Sequence, residues 1–331
     1  MLISWNTTNY CNMFCDHCYR DAGDRLPEEL NTEQGFTLID QIKEAGFRLM
    51  IFSGGEPLTR PDIFELCAHA SSIGLRTVMG TNGTLITSEV ARKLKESGVS
   101  ACAVSLDSLY KDQNDDFRKL EGAYDMALQG MHNLKDVGIA VQLNTTVMDW
   151  NAPQLDGLTD LAVDLGAIGH HVLFLVPTGR AIDIEKEALR VREYERTLNQ
   201  LMDKSKNVSI ELKPTCAPQF MRIADRKGIK TKYSRGCLAG ISYCIISPKG
   251  DVQPCAYLNM PLGNVKENSF VDIWHSNPVF QKLRTFEYGG KCGECDYAGT
   301  CGGCRARAYY YSDGDYMAQD DWCLYQPQGK E

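Results

Sequence analysis

The sequence predicts an α/β fold built from six β–α units on a parallel sheet, followed by a smaller cysteine-rich domain. Three observations predict it. Short apolar strand-like runs alternate with amphipathic helical periods as far as about residue 200. The gaps between successive runs, about 20–30 residues except for a longer first one, are long enough for a helical crossover and too long for a hairpin. After residue 213 the texture changes: proline, glycine and cysteine rise and helical periodicity fades. We therefore divide the chain into residues 1–210 and 211–331.

The expected strands are LISWN (2–6), RLMIFS (48–53), LRTVMG (75–80), SACAVSL (100–106), IAVQLNTTV (139–147) and HVLFLV (171–176). The first crossover reads as a helix over 32–46, with Phe36, Ile39 and Ile42 on one face. Asn31 and Gln34 have capping-box spacing, and Gly46 stands where the helix ends. Residues 154–166 carry a leucine stripe, and 184–205 reads as a charged helix. The stretch YCIISPKGDVQPC (243–255) reads as a hairpin turning at Pro248-Lys249-Gly250-Asp251. Six β–α units form either a doubly wound sheet or a partial barrel. In both, ligands bind at the carboxyl ends of the strands. The polar and glycine-rich segments lie there: Cys11 after the first strand, Gly54-Gly55-Glu56-Pro57 after the second, Asp107 after the fourth and Pro177-Thr178-Gly179-Arg180 after the sixth.

The chain has 331 residues, 43% of them hydrophobic and 24% charged, as in an ordinary globular protein. Its net charge of −8 argues against general nucleic-acid binding. Residues 1–10 lack the basic and apolar stretches of a secretory signal, and no apolar run is long enough to span a bilayer. The expected location is the cytoplasm. In that reducing compartment 14 cysteines read as metal ligands rather than disulfides. Cys67 and Cys102, in apolar surroundings, read as small buried hydrophobes.

Cys11, Cys15 and Cys18 fall within eight residues, as C-x3-C-x2-C. Three thiolates are one short of a closed tetrahedral site, and an open coordination position is what catalytic metal centres keep. A zinc site completed by His17 is the competing reading. The motif after a first strand resembles the signature of radical S-adenosylmethionine (SAM) enzymes. That resemblance implies a partial (β/α)6 TIM-like barrel and a [4Fe-4S] cluster held by Cys11, Cys15 and Cys18. Its open iron takes the amino and carboxylate groups of SAM, and SAM cleavage yields a 5′-deoxyadenosyl radical. Gly54-Gly55-Glu56 resembles the segment that meets the SAM amino group. Ser105, Asp107 and Asn144 stand where the family contacts SAM, and His17 where it places an aromatic residue near adenine.

Cys237, Gly250, Cys255, the run Cys292-x2-Cys295-x5-Cys301-x2-Cys304 and Cys323 resemble the SPASM extension of radical SAM enzymes. Here only two residues, rather than the usual three, separate the last pair of the run. The resemblance implies two auxiliary iron–sulfur clusters. One is held by Cys292, Cys295, Cys301 and Cys323. The other is held by Cys237, Cys255 and Cys304, with Cys244 as expected fourth ligand and Cys216 as its rival. Two zinc knuckles are the alternative.

MIFSGGEPL (50–58), LVPTGRA (175–181), ELKPTCAPQFMRIA (211–224), RGCLAGISYCIISPKGDVQPCAYL (235–258) and CGGCRARAYYYSDGDYMAQDDWCLY (301–325) resemble the tetrapyrrole-modifying branch, most of all the 12,18-didecarboxysirohaem deacetylases. This implies removal of acetate side chains from an iron tetrapyrrole to give iron-coproporphyrin III, with ferredoxin or flavodoxin as electron donor. Alternatives are a haem d1 enzyme acting on propionates and a peptide maturase. Cys11 lies only ten residues from the start, leaving no room for the N-terminal peptide-gripping domain many maturases use. A cluster-bearing electron carrier is the non-enzyme reading. For a carboxylate-rich flat substrate, Arg180, Arg222, Arg235, Arg305 and Arg307 are the candidate cations. Phe220, Met221 and Tyr309-Tyr310-Tyr311 are the candidate wall, and His170 or His171 the candidate axial ligand.

Overall fold

The computed structural model describes residues 1–327. The strands are β1 (Leu2–Asn6), β2 (Leu49–Ser53), β3 (Arg76–Thr81), β4 (Val99–Ser105), β5 (Ala140–Val147), β6 (Gly169–Phe174), β7 (Glu211–Thr215), β8 (Tyr243–Ile246) and β9 (Val252–Gln253). The crossovers contain helices α1 (Thr32–Glu44), α2 (Ile63–Ser72), α3 (Ser88–Glu96), α4 (Lys111–Arg118), α5 (Ala123–Asp136), α6 (Leu155–Asp164) and α7 (Val191–Lys204). Beyond β7 come α8 (Phe220–Arg226), α9 (Phe270–Ser276), α10 (Pro278–Leu283), α11 (Gly290–Glu294) and α12 (Arg305–Tyr311). All six expected strands form, with ends displaced by at most two residues. Helix α1 has both halves of its capping box: Gln34 N–H donates to Asn31 Oδ1 and Asn31 N–H donates to Gln34 Oε1.

The strands make one sheet in the order β7-β6-β5-β4-β3-β2-β1-β8-β9. Strands β1 to β7 pair in parallel with their sequence neighbours, β8 joins the far side of β1 in parallel, and β9 returns antiparallel. The ends of the sheet do not pair with each other, so the barrel is partial. The expected hairpin exists, but its first strand extends the core sheet. The expected boundary at 210/211 is likewise the start of β7, which pairs with β6 from Gly169↔Glu211 to Leu173↔Thr215. The core sheet therefore runs through both ends of the cysteine-rich segment. That segment also holds short helices where periodicity had faded, because five to seven residues show no full amphipathic period.

Strand alternation assigns the faces. On β5, Val141, Leu143 and Val147 are buried in one core with Leu134 of α5 and Leu155 and Leu158 of α6. Ala140, Gln142, Asn144 and Thr146 lie on the opposite face, half-buried, and line the lumen. Glu211, Lys213 and Thr215 of β7 share that lumen face. Cys67 and Cys102 are fully buried in the apolar core, as expected. No helix among the described residues is long and apolar enough to cross a membrane.

Asn31→Ala removes the side-chain acceptor at the start of α1 and is expected to cost ~1 kcal/mol of unfolding free energy. Urea unfolding monitored by circular dichroism measures it.

Candidate functional site

The Cys11–Cys18 loop leaves the carboxyl end of β1 and is gripped from two sides. On one side the segment after β2 lies against it: Gly55 N–H donates to Thr8 O (2.8 Å) and Glu56 N–H to Tyr10 O (2.8 Å). A Cβ on Gly55 would sit 2.3 Å from Tyr10 O, so only glycine permits this approach. On the other side, Gly179 adopts φ +58° with its Cα against the Cys18 carbonyl, where a Cβ would come within 2.5 Å. Arg180 then locks the loop. Its Nε donates to Cys15 O (3.0 Å), its Nη1 to Ala22 O (2.6 Å) and Asp21 Oδ1 (2.8 Å), and its guanidinium stacks 3.8 Å from the Phe14 ring centroid. Burial pushes the Cys11 thiol up to about 12 and Cys15 up to about 11. Metal binding to these sulfurs therefore has to expel protons.

Glu56 lies near enough to the Cys11 thiol for its charge to push that thiol up. It is fully buried; Oε1 accepts from Thr81 Oγ1 (2.8 Å) and Leu58 N (3.2 Å), and Oε2 from Asn82 N (2.8 Å). Burial raises its carboxyl to about 7. Thr81 and Asn82 hold it to the end of β3 and Leu58 N holds it to its own segment, which leaves Oε2 with a second acceptor position. His17 stacks on Phe117 (centroids 4.2 Å apart) with Nε2 3.5 Å from Asp107 Oδ2, and burial holds it at about 4. Asp107 is also buried, accepting from Thr146 N (2.7 Å). Arg118 Nη2 stands 2.6 Å from Asp107 Oδ2 as an ion pair, and Arg118 Nε and His17 Nδ1 are buried with no partner among the described residues. Sequence reasoning missed Arg118: a lone arginine in the charged helix α4 reads as a solvated face. Yet Cys15 Sγ lies 3.6 Å from its carbonyl oxygen, and its guanidinium lowers the Cys15 thiol against the effect of burial. Ser105 and Asn144 are in register on adjacent strands, and Asn144 Oδ1 accepts from Gln142 Nε2 (2.7 Å).

The C-terminal cysteines fall into two groups. Cys216, Cys237, Cys255 and Cys304 share one cluster of packed residues. Burial pushes the Cys216 thiol well up, and the neighbouring Cys304, Cys255 and Cys237 sulfurs push the same way. Cys244 is not among them. It is fully buried in the main core, facing away, while its neighbour Tyr243 packs on the cysteine group. The reason is strand periodicity: alternate residues of β8 point to opposite faces. Of the two expected candidates, Cys244 therefore stands apart from the group and the rival, Cys216, stands within it. Cys292, Cys295, Cys301 and Cys323 line a second, separate pocket. Asp320 ties the groups together. Its Oδ2 accepts from Cys304 N (2.8 Å) and Gln219 Nε2 (2.8 Å), its Oδ1 pairs with Arg307 Nε (3.0 Å), and its N–H donates to Cys292 Sγ (3.4 Å).

The five arginines expected to clamp substrate carboxylates are committed inside the protein. Arg180 locks the cysteine loop. Arg222 pairs with Glu195, Arg235 binds Cys237 O and Tyr288 Oη, Arg305 binds Tyr316 O and Ala318 O, and Arg307 binds Asp320 and Cys216 O. Among the described residues, the buried donors Arg222 Nε, Arg305 Nε and Nη2, and Arg307 Nη1 have no partner. These buried donors belong to arginines that lower the thiols of Cys323, Cys292 and Cys304 respectively. An anionic iron–sulfur cluster in each group fits them, since it supplies acceptors that the protein lacks. Among the described residues no three His, Cys, Asp or Glu side chains stand close enough to hold one metal ion, and His17 faces Asp107 rather than a cysteine. His170 is fully buried between Thr159 Oγ1 and Thr145 Oγ1 (both 3.0 Å), which removes it as an axial ligand. His171 is half-buried on the lumen face, 3.3 Å from Glu211. Phe220 is buried, and Tyr310 and Tyr311 bond to Glu185.

A loop with three cysteines at the mouth of a partial barrel, backed by a close-packed glycine segment, defines a radical SAM enzyme. The family model for the radical SAM superfamily matches residues 5–162, and the SPASM model, an iron–sulfur cluster-binding domain, matches 237–296. The chain belongs to the radical SAM superfamily and carries the SPASM extension. It is 42% identical to the AdoMet-dependent heme synthase of Nitratidesulfovibrio vulgaris, over 99% of this chain and 93% of that one. It is 40% identical to the protein of the same name from Methanosarcina barkeri, over 99% and 97%. The Fe-coproporphyrin III synthase of Methanosarcina barkeri is 31% identical, over 97% and 87%. Among solved structures, Streptococcus suis SuiB bound to the precursor peptide SuiA shares the fold, with TM-score 0.78, 20% identity, and 98% of this chain covered against 76% of that one.

Two expectations follow. Cys216→Ser should lower iron and sulfide per chain by roughly one cluster's worth, whereas Cys244→Ser should leave the iron count unchanged; inductively coupled plasma analysis of anaerobically reconstituted protein decides between them. Gly55→Ala forces its methyl into the Tyr10 carbonyl and should reduce SAM binding, read by equilibrium dialysis, by roughly tenfold or more.

Proposed function

We propose that this chain completes a haem, converting ring propionates of iron-coproporphyrin III into vinyl groups. The observation that carries the proposal is the whole-length similarity, at 40–42% identity, to proteins named AdoMet-dependent heme synthase, against 31% for the Fe-coproporphyrin III synthase. The half-open lumen beside the cysteine loop, polar on its exposed face, supports it.

Cys11, Cys15 and Cys18 would hold the SAM-binding cluster, which with SAM supplies a 5′-deoxyadenosyl radical. The Glu56 carboxylate and the backbone carbonyls at Gly54-Gly55 would take the SAM ammonium, and Arg118, whose Nε–H has no partner among the described residues, would take the SAM carboxylate. Ser105 and Asn144, side by side on the lumen face, would position the nucleoside. Asp107 holds Arg118 and the amide of Thr146 and so fixes that wall.

On the substrate, hydrogen is taken from the propionate carbon attached to the ring. Loss of carbon dioxide and one electron leaves the vinyl group. That electron needs an acceptor, and the two C-terminal cysteine groups are where the chain would keep one: Cys216, Cys237, Cys255 and Cys304, and Cys292, Cys295, Cys301 and Cys323. A reduced ferredoxin or flavodoxin in the cytoplasm would supply the electron for SAM cleavage.

The second reading is removal of acetates from 12,18-didecarboxysirohaem, which the 31% similarity to the Fe-coproporphyrin III synthase favours. Reduced, cluster-loaded protein incubated with SAM and each tetrapyrrole separates them. We expect iron-coproporphyrin III to lose two carboxyl groups as carbon dioxide and to acquire the mass of haem. Unchanged iron-coproporphyrin III together with acetate loss from didecarboxysirohaem would reverse the assignment.

A further inference from the structure

The arginines expected to meet the substrate are all engaged elsewhere, yet the lumen face carries a lysine with no ion pair and no hydrogen-bond acceptor among the described residues. Lys213 lies at the centre of β7 on the lumen face and is largely buried. Among the described residues no carboxylate or carbonyl oxygen accepts from its ammonium. Its one close partner is the face of Tyr233, 4.4 Å from ring centroid to Nζ. Burial lowers its basicity, while Glu211 and Cys216 act the other way and Lys232 adds to the lowering. Glu211 is already taken, by His171 Nε2 at 3.3 Å and by the exposed Lys232.

Three buried hydroxyl groups also lack a partner among the described residues. Thr215 Oγ1, two residues along the same face of β7, is buried without a partner. So are Tyr233 Oη, on the ring that covers Lys213, and Thr178 Oγ1, in the loop that follows β6. A buried hydroxyl left unpaired costs about 1–3 kcal/mol, and a desolvated ammonium costs more. Lys213 and Thr215 on one face of β7, with the Tyr233 ring over Lys213, call for a ligand rich in acceptors and negatively charged.

We propose that Lys213, with the hydroxyls of Thr215 and Tyr233, forms a carboxylate-binding site for a propionate of the tetrapyrrole that the reaction leaves intact. The inference rests on the haem-forming reading above. The sheet register gives the spacing. Ser105 pairs with Asn144, Asn144 with His171, and His171 with Lys213. Lys213 is thus two strands, ~10 Å, from the Asn144 position proposed to hold SAM. A macrocycle lying across the lumen places one edge at the radical and the opposite edge at Lys213. Anchoring by a retained carboxylate fixes which propionates face the radical, so Lys213 is a positioning and specificity residue rather than a catalytic one.

The test is a visible-absorption titration of iron-coproporphyrin III, and separately of its tetramethyl ester, into the cluster-loaded protein. Lys213→Met should weaken binding of the acid by roughly tenfold or more, and Lys213→Arg should restore most of it. The ester should bind wild type as weakly as the acid binds Lys213→Met. Iron content and SAM binding should be the same in all three proteins. Equal binding of the acid by wild type and Lys213→Met overturns the site and leaves the haem-forming reading standing. Equal binding of acid and ester does the same. A fall in iron content in Lys213→Met with unchanged porphyrin affinity assigns the ammonium to the neighbouring Cys216 group instead. Failure of the wild type to bind iron-coproporphyrin III at all removes both this site and the reading on which it rests.

Discussion

The site depends on a close backbone approach. The segment after β2 lies so near the loop after β1 that a Cβ at Gly55 would overlap the Tyr10 carbonyl. Two amide donors, from Gly55 and Glu56, then close the contact. Without it the Cys11–Cys18 loop would have no wall on the β2 side, and the three thiols would be three flexible side chains. Gly179 and Arg180 do the same from the β6 side, so the loop is held by the chain ends of both flanking regions of the sheet. The partial barrel sets the distance between those regions, and in this sense the fold exists to hold the loop.

Electrostatics in the C-terminal half follow the same economy. The Arg307–Asp320 pair is fully buried, and its carboxylate touches both cysteine groups through Cys304 N and Gln219. A buried ion pair is weak evidence for stability, but removing either partner leaves an uncompensated charge. Here each partner also carries a structural contact to a cysteine group, through Cys216 O for Arg307 and Cys292 Sγ for Asp320. The donors these arginines leave over, beside thiols that burial keeps protonated, describe pockets shaped for anionic groups rather than for apolar packing.

Much of the molecule was legible in the chain alone. Periodicity placed the strands because a parallel sheet covered by helices imposes a long apolar run and a regular crossover length. Cysteine spacing marked the Cys11–Cys18 group because loop ligands close in sequence can wrap one centre, whereas the Cys216, Cys237, Cys255 and Cys304 group is assembled from distant segments. The arginines were misread for a definite reason. Arg180, Arg305 and Arg307 occur near the motifs, but sequence proximity does not say whether a guanidinium points at a ligand or at a carbonyl of its own fold. Arg118 and Lys213 were missed for the converse reason: each sits in an ordinary local context and becomes notable only through what faces it.

The sequence by itself determined the open three-cysteine site, the glycines that back it, the class of fold and the class of chemistry, because each is written in residues close together along the chain. Tertiary structure alone decided the rest. It buried Glu56 against the end of β3, removed His170 from contention, placed Cys216 rather than Cys244 beside Cys237, Cys255 and Cys304, and left Lys213 without an ion pair among the described residues. All four turn on which face of a strand or loop a side chain occupies and what stands opposite it. That is settled by pairing across 25 to 90 residues of chain, as in His170 with Thr145, Glu56 with Thr81 and Cys216 with Cys304.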